Sequence, residues 1–129
     1  MNEIETQSGL AATPGYRYAK RSGNQLHIAG QVPLDASGSV VHPEDAFAQA
    51  EQCLTNLRTL INCHEFAEED IQHITIYVVG PHTNLTSAWQ AILQGFSNEV
   101  PPATLLGVSV LGYENQLVEI DATIVKQDH

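Results

Sequence analysis

The feature that most constrains the fold is an amphipathic stretch near the middle of the chain. A three- and four-residue spacing relates its apolar positions, Phe47, Ala50, Leu54, Leu57 and Ile61. This period predicts an α-helix with one apolar face about five turns long. The preceding residues Pro43, Glu44 and Asp45 indicate its start, because proline and acidic side chains favour the first helical turn. Such a helix must bury its apolar face against a second layer of structure.

Five segments with β-strand composition surround this helix. They are residues 16–21, 25–30, 71–79, 103–111 and 117–125. Ser22, Gly23 and Asn24 separate the first two, and this turn chemistry predicts a β-hairpin. The third segment is rich in β-branched residues and ends at Gly80 and Pro81, which favour a turn.

A second helix is predicted between the third and fourth strands. Thr83 and Asn84 are residue types that cap helix starts, and Pro101 with Pro102 marks the end of the helical region. Its apolar face carries Leu85, Ala88, Trp89, Ile92, Leu93 and Phe96. The resulting order, β-β-α-β-α-β-β around a single sheet, predicts an α+β fold with both helices on one face.

The length of 129 residues is enough for one hydrophobic core, because two half-length units would bury too little surface. The start of the chain is polar, and Thr13, Pro14 and Gly15 predict a turn. We therefore expect a flexible N-terminal arm over residues 1–14 and a single domain over residues 15–129.

The charge of the chain limits its partners. Five basic and fifteen acidic residues give a net charge of −10, which disfavours nucleic acids and anionic membranes as ligands. Charged residues are 16% of the chain, below the roughly 25% of soluble domains, which favours a surface covered by another subunit. No apolar run reaches the roughly 18 residues of a membrane span, so we expect a soluble, cytoplasmic protein.

Glu119 is the most informative acidic residue. Side chains alternate along a strand, so Glu119 and Asp121 share one face while Val118 and Ile120 share the other. Two carboxylates at this spacing orient water or exchange protons if their face lines a cleft. The same pattern is equally compatible with an ordinary solvated face.

The absence of known binding motifs argues against a cofactor. The six histidines and two cysteines show no metal-ligand spacing, and the chain contains no GxGxxG, P-loop or GxSxG element. We expect no metal and no cofactor. Tyr16 and Tyr18 alternate with Arg17 on the first strand, where they predict either a cleft edge with an anion-binding guanidinium or simple packing.

Several segments resemble the Rid family, also known as endoribonuclease L-PSP. They are Gly15-Tyr16, Ile28 to Asp35, Gln49-Ala50 through Asn56-Leu57, Pro101-Pro102-Ala103, and Val118 to Ala122. Their order and spacing cover nearly everything after residue 14. The resemblance implies a chorismate-mutase-like, two-layer fold with a mixed sheet, and a homotrimer with three small-molecule clefts between its subunits.

The resemblance also implies a chemistry and its residues. Active Rid members hydrolyse reactive imines and enamines, and they bind the substrate carboxylate through an arginine in a Pro-Pro-Ala-Arg segment. In this chain Thr104 occupies the arginine position, and Ala29 replaces a family serine. Tyr16, Gly30 and Glu119 match the family pattern. The resemblance therefore places Glu119 as the catalytic group and Tyr16, Gly30 and Thr104 as substrate-binding residues. Without the family arginine, either Arg17 on the first strand supplies the cation that binds the substrate, or the ligand is less anionic, or the cleft binds a ligand without turnover.

Three functions remain open at this point. The first is a Rid-like deaminase of imine or enamine metabolites, supported by Glu119. The second is a trimer that binds metabolites or proteins without turnover, supported by the missing arginine. The third, an endoribonuclease or translation inhibitor, follows from the older family name and conflicts with the charge of −10.

Overall fold

A computed structural model of the protein describes residues 2–127. The helices are α1 (Glu3–Gln7), α2 (Ala46–Cys63) and α3 (His82–Gly95), with a 3-10 turn at Glu68–Asp70. The strands are β1 (Ala19–Ser22), β2 (Gln25–Ile28), β3 (Ile71–Val79), β4 (Ala103–Val108) and β5 (Val118–Val125). The predicted order of the main elements is confirmed. Strand β3 has its predicted bounds, β1 and β5 begin later than predicted, and β2 and β4 end earlier.

The five strands form one mixed sheet in the order β1-β2-β5-β3-β4. Only the β3–β4 pair among the described strands is parallel. The last strand therefore lies in the middle of the sheet, between β2 and β3. In this register Tyr77 lies opposite Glu119, and Thr75 lies opposite Asp121.

The two faces of the sheet differ as the alternation predicts. On one face the side chains are fully buried against α2 and α3; they include Ile74, Ile76, Val78, Val118 and Ile120. Glu119 and Asp121 lie on the opposite face, which neither long helix covers. The α+β class with both long helices on one face is confirmed.

Helix α2 begins at Ala46, three residues after Pro43, which the sequence pattern placed at the first helical position. Asp45 is its N-cap residue, and its side chain accepts a hydrogen bond from the backbone N–H of Ala48 at 3.0 Å. The carboxylate satisfies an N–H group that has no partner within the helix. Asp45 thus fixes the start of the helix, and Pro43 lies in the preceding turn.

The predicted caps of α3 are wrong. Pro81 occupies the N-cap position, and Thr83 and Asn84 lie inside the first turn. The Asn84 amide instead donates to the carbonyl oxygen of Val79 at 2.9 Å, which ties the helix to the end of β3. Gly80 makes this short connection feasible, because its φ of 112° is a conformation that favours glycine.

The segment before residue 15, predicted as a flexible arm, carries α1 and packs against the domain. Leu10 and Ala11 are buried, and the Tyr18 hydroxyl donates to the Ala11 carbonyl at 2.7 Å. Glu5 is 2% exposed, and its Oε2 lies 2.7 Å from Nε2 of His64 at the end of α2. The polar composition of residues 1–14 did not predict these contacts, because each one joins this segment to residues elsewhere in the chain. The domain boundary at residue 14 stays a prediction.

Over residues 2–127, none of the helices is both long enough and apolar enough to span a membrane.

Candidate active site

A cleft of about 410 Å³ opens beside the start of β5. Three chain segments line it: the approach to β1, the residues after β2, and the loop between β4 and β5. Its lining residues are Pro14, Tyr16, Ala29, Gly30, Val32, Gly112, Tyr113, Gln116 and Glu119. The structure thus brings Tyr16, Gly30 and Glu119 together from positions far apart in sequence.

Backbone pairing beyond β2 places Gly30 against Glu119. Gln31 and Ile120 exchange two backbone hydrogen bonds, of 2.7 and 3.0 Å, so the chain after β2 runs alongside β5. A Cβ atom at position 30 would overlap the Glu119 carboxylate and would lie 2.9 Å from its Cδ. Glycine is therefore required here for space, because any larger residue would displace the carboxylate.

The Glu119 carboxylate sits half-buried in the wall of this cleft. Burial raises its pKa, a hydrogen bond from Gln116 partly lowers it, and the nearby Asp121 charge raises it again. The net direction is upward, because desolvation disfavours the charged form of an acid. A carboxyl group with a raised pKa is better matched to proton exchange near neutral pH than an ordinary surface carboxylate.

Tyr16 forms one edge of the cleft and is 40% exposed. Burial raises its pKa to about 12, and a hydrogen bond with Tyr113 acts in the same direction. The phenol therefore stays protonated in the physiological range. It can pack on a ligand or donate a hydrogen bond, while it cannot supply a charge.

The loop between β4 and β5 is held by two buried glutamines to which the sequence analysis assigned no role in the site. The Gln49 side chain, from α2, accepts from the Leu117 N–H at 2.7 Å and donates to the Asn115 carbonyl at 2.9 Å. Gln116 accepts from the Tyr113 N–H at 3.1 Å and donates to Glu119 at 3.3 Å. Gln49 lies 66 and 68 residues from its two partners in the sequence. Gln116 contacts residues three positions away, in a turn that has no recognisable motif.

Arg17 and Thr104 lie outside this cleft in the single subunit. Arg17 lines a separate cavity of about 300 Å³ with Asn2, Glu5 and Ala19. Thr104 lies on β4, and its Oγ1 is 3.3 Å from Nε2 of His73. Their assignment to substrate binding stays a prediction.

Among the nine residues that line the cleft, Glu119 alone carries a formal charge, and none is Arg, Lys or His. Cys53 lies behind β5 and is fully buried, and its pKa is well above the usual value because of burial. It is therefore a packed thiol that donates to the Val118 carbonyl. Within residues 2–127, no three His, Cys, Asp or Glu side chains are grouped as metal ligands.

Comparison with known proteins places this chain in a family. The sequence model of the family described as Endoribonuclease L-PSP matches residues 6–126. A RutC family protein of Pyrococcus horikoshii is 26% identical over 124 residues, covering 96% of this chain and 97% of its own. The 2-iminobutanoate/2-iminopropanoate deaminase of Escherichia coli K12 is 25% identical over 126 residues, covering 96% of this chain and 97% of its own.

Solved structures give the same result for the fold. The crystal structure of the YjgF gene product of Escherichia coli superposes with a TM-score of 0.82 at 24% identity, covering 98% of this chain and 100% of that one. This likeness confirms the chorismate-mutase-like, two-layer fold. With the family match over residues 6–126, it shows that the chain belongs to the Rid family of endoribonuclease L-PSP-like proteins.

Proposed function

We propose that this protein is a Rid-like hydrolase that converts small imine or enamine metabolites to carbonyl compounds and ammonia. One observation carries the proposal: the half-buried Glu119 carboxylate lies against the Gly30 backbone in a cleft of about 410 Å³, which is large enough for a small metabolite. The 25% identical deaminase of Escherichia coli supports the same reaction class.

The chemistry needs one group that moves a proton. Glu119 takes a proton from water as the water oxygen bonds to the imine carbon, and the C=N bond becomes a single bond. That proton then passes from Glu119 to the nitrogen, which gives a carbinolamine. Glu119 next moves the proton of the new hydroxyl group to the nitrogen, so that the C–N bond breaks, the C=O bond forms and neutral ammonia leaves. The raised pKa of Glu119 suits this exchange, because a general base works best when its pKa is near the operating pH.

Tyr16 and Gly30 have supporting roles in this proposal. The Tyr16 phenol stays protonated, so it donates a hydrogen bond to the ligand or packs on it. Gly30 leaves the Glu119 carboxylate open to the cleft. The Tyr113 contact holds the Tyr16 ring at the rim.

A homotrimer is part of the proposal. Leu106 and Val110 are 43% and 78% exposed, and they lie on or just after the edge strand β4. An edge strand with exposed apolar side chains favours association with another chain. A second subunit is the route by which Arg17 or Thr104 would reach the cleft. Light scattering at micromolar concentration tests this assembly, and a monomer would contradict it.

The test of the reaction is the hydrolysis of 2-aminoacrylate and 2-iminobutyrate, generated in place by a dehydratase, with and without the protein. We expect faster loss of the imine. Arg17→Ala tests whether Arg17 binds the substrate carboxylate, and Lys20→Ala is the matched control, since both are exposed cations near β1. A selective rise in KM for Arg17→Ala would support that role.

A metabolite-binding trimer without turnover is the second candidate, and the composition of the cleft favours it. None of the residues lining the cleft is a cation that would bind a carboxylate. Ligand binding without loss of imine would favour this alternative over the hydrolase. An endoribonuclease activity is the weakest candidate, because the chain carries a net charge of −10 and phosphate binding depends on cations.

A further inference from the structure

The two oxygens of the Glu119 carboxylate have different surroundings. Oε1 accepts a hydrogen bond from the Gln116 amide at 3.3 Å. Oε2 is the atom closest to the position that a Cβ would take at Gly30, where the backbone forms the cleft wall. One oxygen is therefore held by the protein, and the other faces the backbone that a ligand would contact.

The Gln116 amide has its orientation fixed by backbone groups on both sides. Its Oε1 accepts from the Tyr113 N–H at 3.1 Å, and its Nε2 donates to the Val118 carbonyl at 3.0 Å. A backbone N–H can only donate and a carbonyl can only accept, so a flipped amide would lose both bonds. Gln116 is 3% exposed, and unpaired polar groups at that depth are costly.

We propose that Gln116 is a positioning residue, which holds Oε1 of Glu119 so that Oε2 exchanges the proton in the cleft. This inference rests on the proposed function, because it assigns separate roles to the two oxygens of the same catalytic carboxylate. Within residues 2–127, Gln116 is the one hydrogen-bond donor recorded for that side chain.

The surroundings of Glu119 make this single donor important. The titratable groups that face or influence it are Tyr16 and Tyr113 in the cleft, Asp121 on β5, Tyr77 on β3 and Cys53 on α2. None of these groups is a cation. The Gln116 amide lowers the pKa of Glu119, in opposition to burial and to Asp121.

Removal of the amide has a specific kinetic consequence. The pKa of Glu119 rises, so the ionised fraction falls at acidic pH and recovers as the pH increases. We expect Gln116→Met to lower kcat by about 2- to 10-fold at acidic pH, the worth of one hydrogen bond, with little change in KM. A residue that only braces the loop would not move the pH profile in this way.

The direct test is an NMR titration of the Glu119 side-chain carbon, assigned by its absence in Glu119→Gln. Three variants are compared with the wild-type chain. Gln116→Met and Gln116→Leu both remove the donor without adding a charge, and Gln49→Met disrupts the same loop without touching Glu119. Circular dichroism confirms folding, and Gln116→Leu provides the result if Gln116→Met unfolds.

We expect a higher Glu119 pKa in both Gln116 variants and the wild-type value in Gln49→Met. An unchanged titration in a folded Gln116 variant would overturn the inference, and so would an equal rise in Gln49→Met, because loop bracing alone would then explain it. The titration needs no substrate. An inactive protein with the expected titration would contradict the hydrolase proposal and leave the role of Gln116 supported.

Discussion

Glu5 and Glu119 are two carboxylates withdrawn from solvent, and the protein holds them in opposite ways. Glu5 is 2% exposed, with one oxygen 2.7 Å from Nε2 of His64 and the other accepting the Asn2 N–H at 2.9 Å. Glu119 is half-buried, and its recorded donor is the neutral amide of Gln116 at 3.3 Å. The deeper carboxylate thus has the better partners.

The difference separates a structural carboxylate from a candidate reactive one. A buried carboxylate is tolerated when hydrogen-bond partners compensate its lost hydration. Glu5 has two close partners, and its contact with His64 fastens α1 to the end of α2. Glu119 has one longer hydrogen bond and a raised pKa, which suits it to proton exchange.

The largest expected effect separates the two carboxylates by activity. Glu119→Gln keeps the size of the side chain and removes the proton acceptor, so we expect turnover to fall by at least about 100-fold. Glu5→Gln lies in the α1 contact and should retain turnover. Imine hydrolysis by both variants checks this. Equal losses would erase the proposed distinction, and an unaffected rate in Glu119→Gln would remove Glu119 from the catalytic role.

The contribution of the Glu5–His64 pair to the free energy of unfolding is the second test. His64→Ala leaves the Glu5 carboxylate buried without its partner, and we expect unfolding to become easier by about 2 kcal/mol. His82→Ala is the control, because His82 is exposed and its side chain has no recorded contact in the described chain. Urea denaturation measures both variants. If the two curves coincide, the pair contributes nothing to holding α1.

The close approach of Gly30 to Glu119 predicts a smaller effect. Gly30→Ala forces the carboxylate to move, and we expect about a tenfold loss of kcat through misplacement of the base. Gly107→Ala is the matched control, because a Cβ there would meet Leu85 at an ordinary 3.8 Å. A fully active Gly30→Ala would show that the position of the carboxylate matters little.

The smallest effect concerns stability and pH. The folded-state pKa of Glu119 is raised above its ordinary 4.5, so its contribution to stability is full below that value. That contribution is lost as the pH rises through the folded-state pKa. Glu119→Gln should therefore melt about 1–3 °C above the wild-type chain at pH 7. At pH 4 the two proteins should have the same melting temperature.

Calorimetry at the two pH values measures this difference, with Glu51→Gln as an exposed control on α2. A lower melting temperature for Glu119→Gln at pH 7 would mean that the folded protein favours the charged form. That outcome would contradict the raised pKa of Glu119.

Much of the fold follows from local patterns. The spacing of Leu54, Leu57 and Ile61 predicted α2, and the alternation from Val118 to Asp121 predicted which side of β5 is buried. These patterns work because a helix and a strand repeat with fixed periods. The predicted starts of the helices were less accurate, because proline and polar residues are compatible with several positions near a turn. Asp45 rather than Pro43 fixes the start of α2.

The site was partly accessible from the sequence. The family resemblance singled out Tyr16, Gly30 and Glu119, and the structure places all three in one cleft. Gln116 and Tyr113 were missed, because the turn that contains them has no motif. Arg17 and Thr104 were assigned to the same site and lie elsewhere in the single subunit. Nothing local to the sequence indicates which cavity a strand-end side chain enters.

By itself, the sequence determined the element order, the buried face of each main element and the acidic character of the chain. These properties depend on neighbours within a few positions or on simple sums of charge. The tertiary structure decided which carboxylate gained a partner and which one faced a cleft. Those outcomes depend on contacts between residues such as Glu5 and His64, or Gly30 and Glu119, which only the folded backbone brings together.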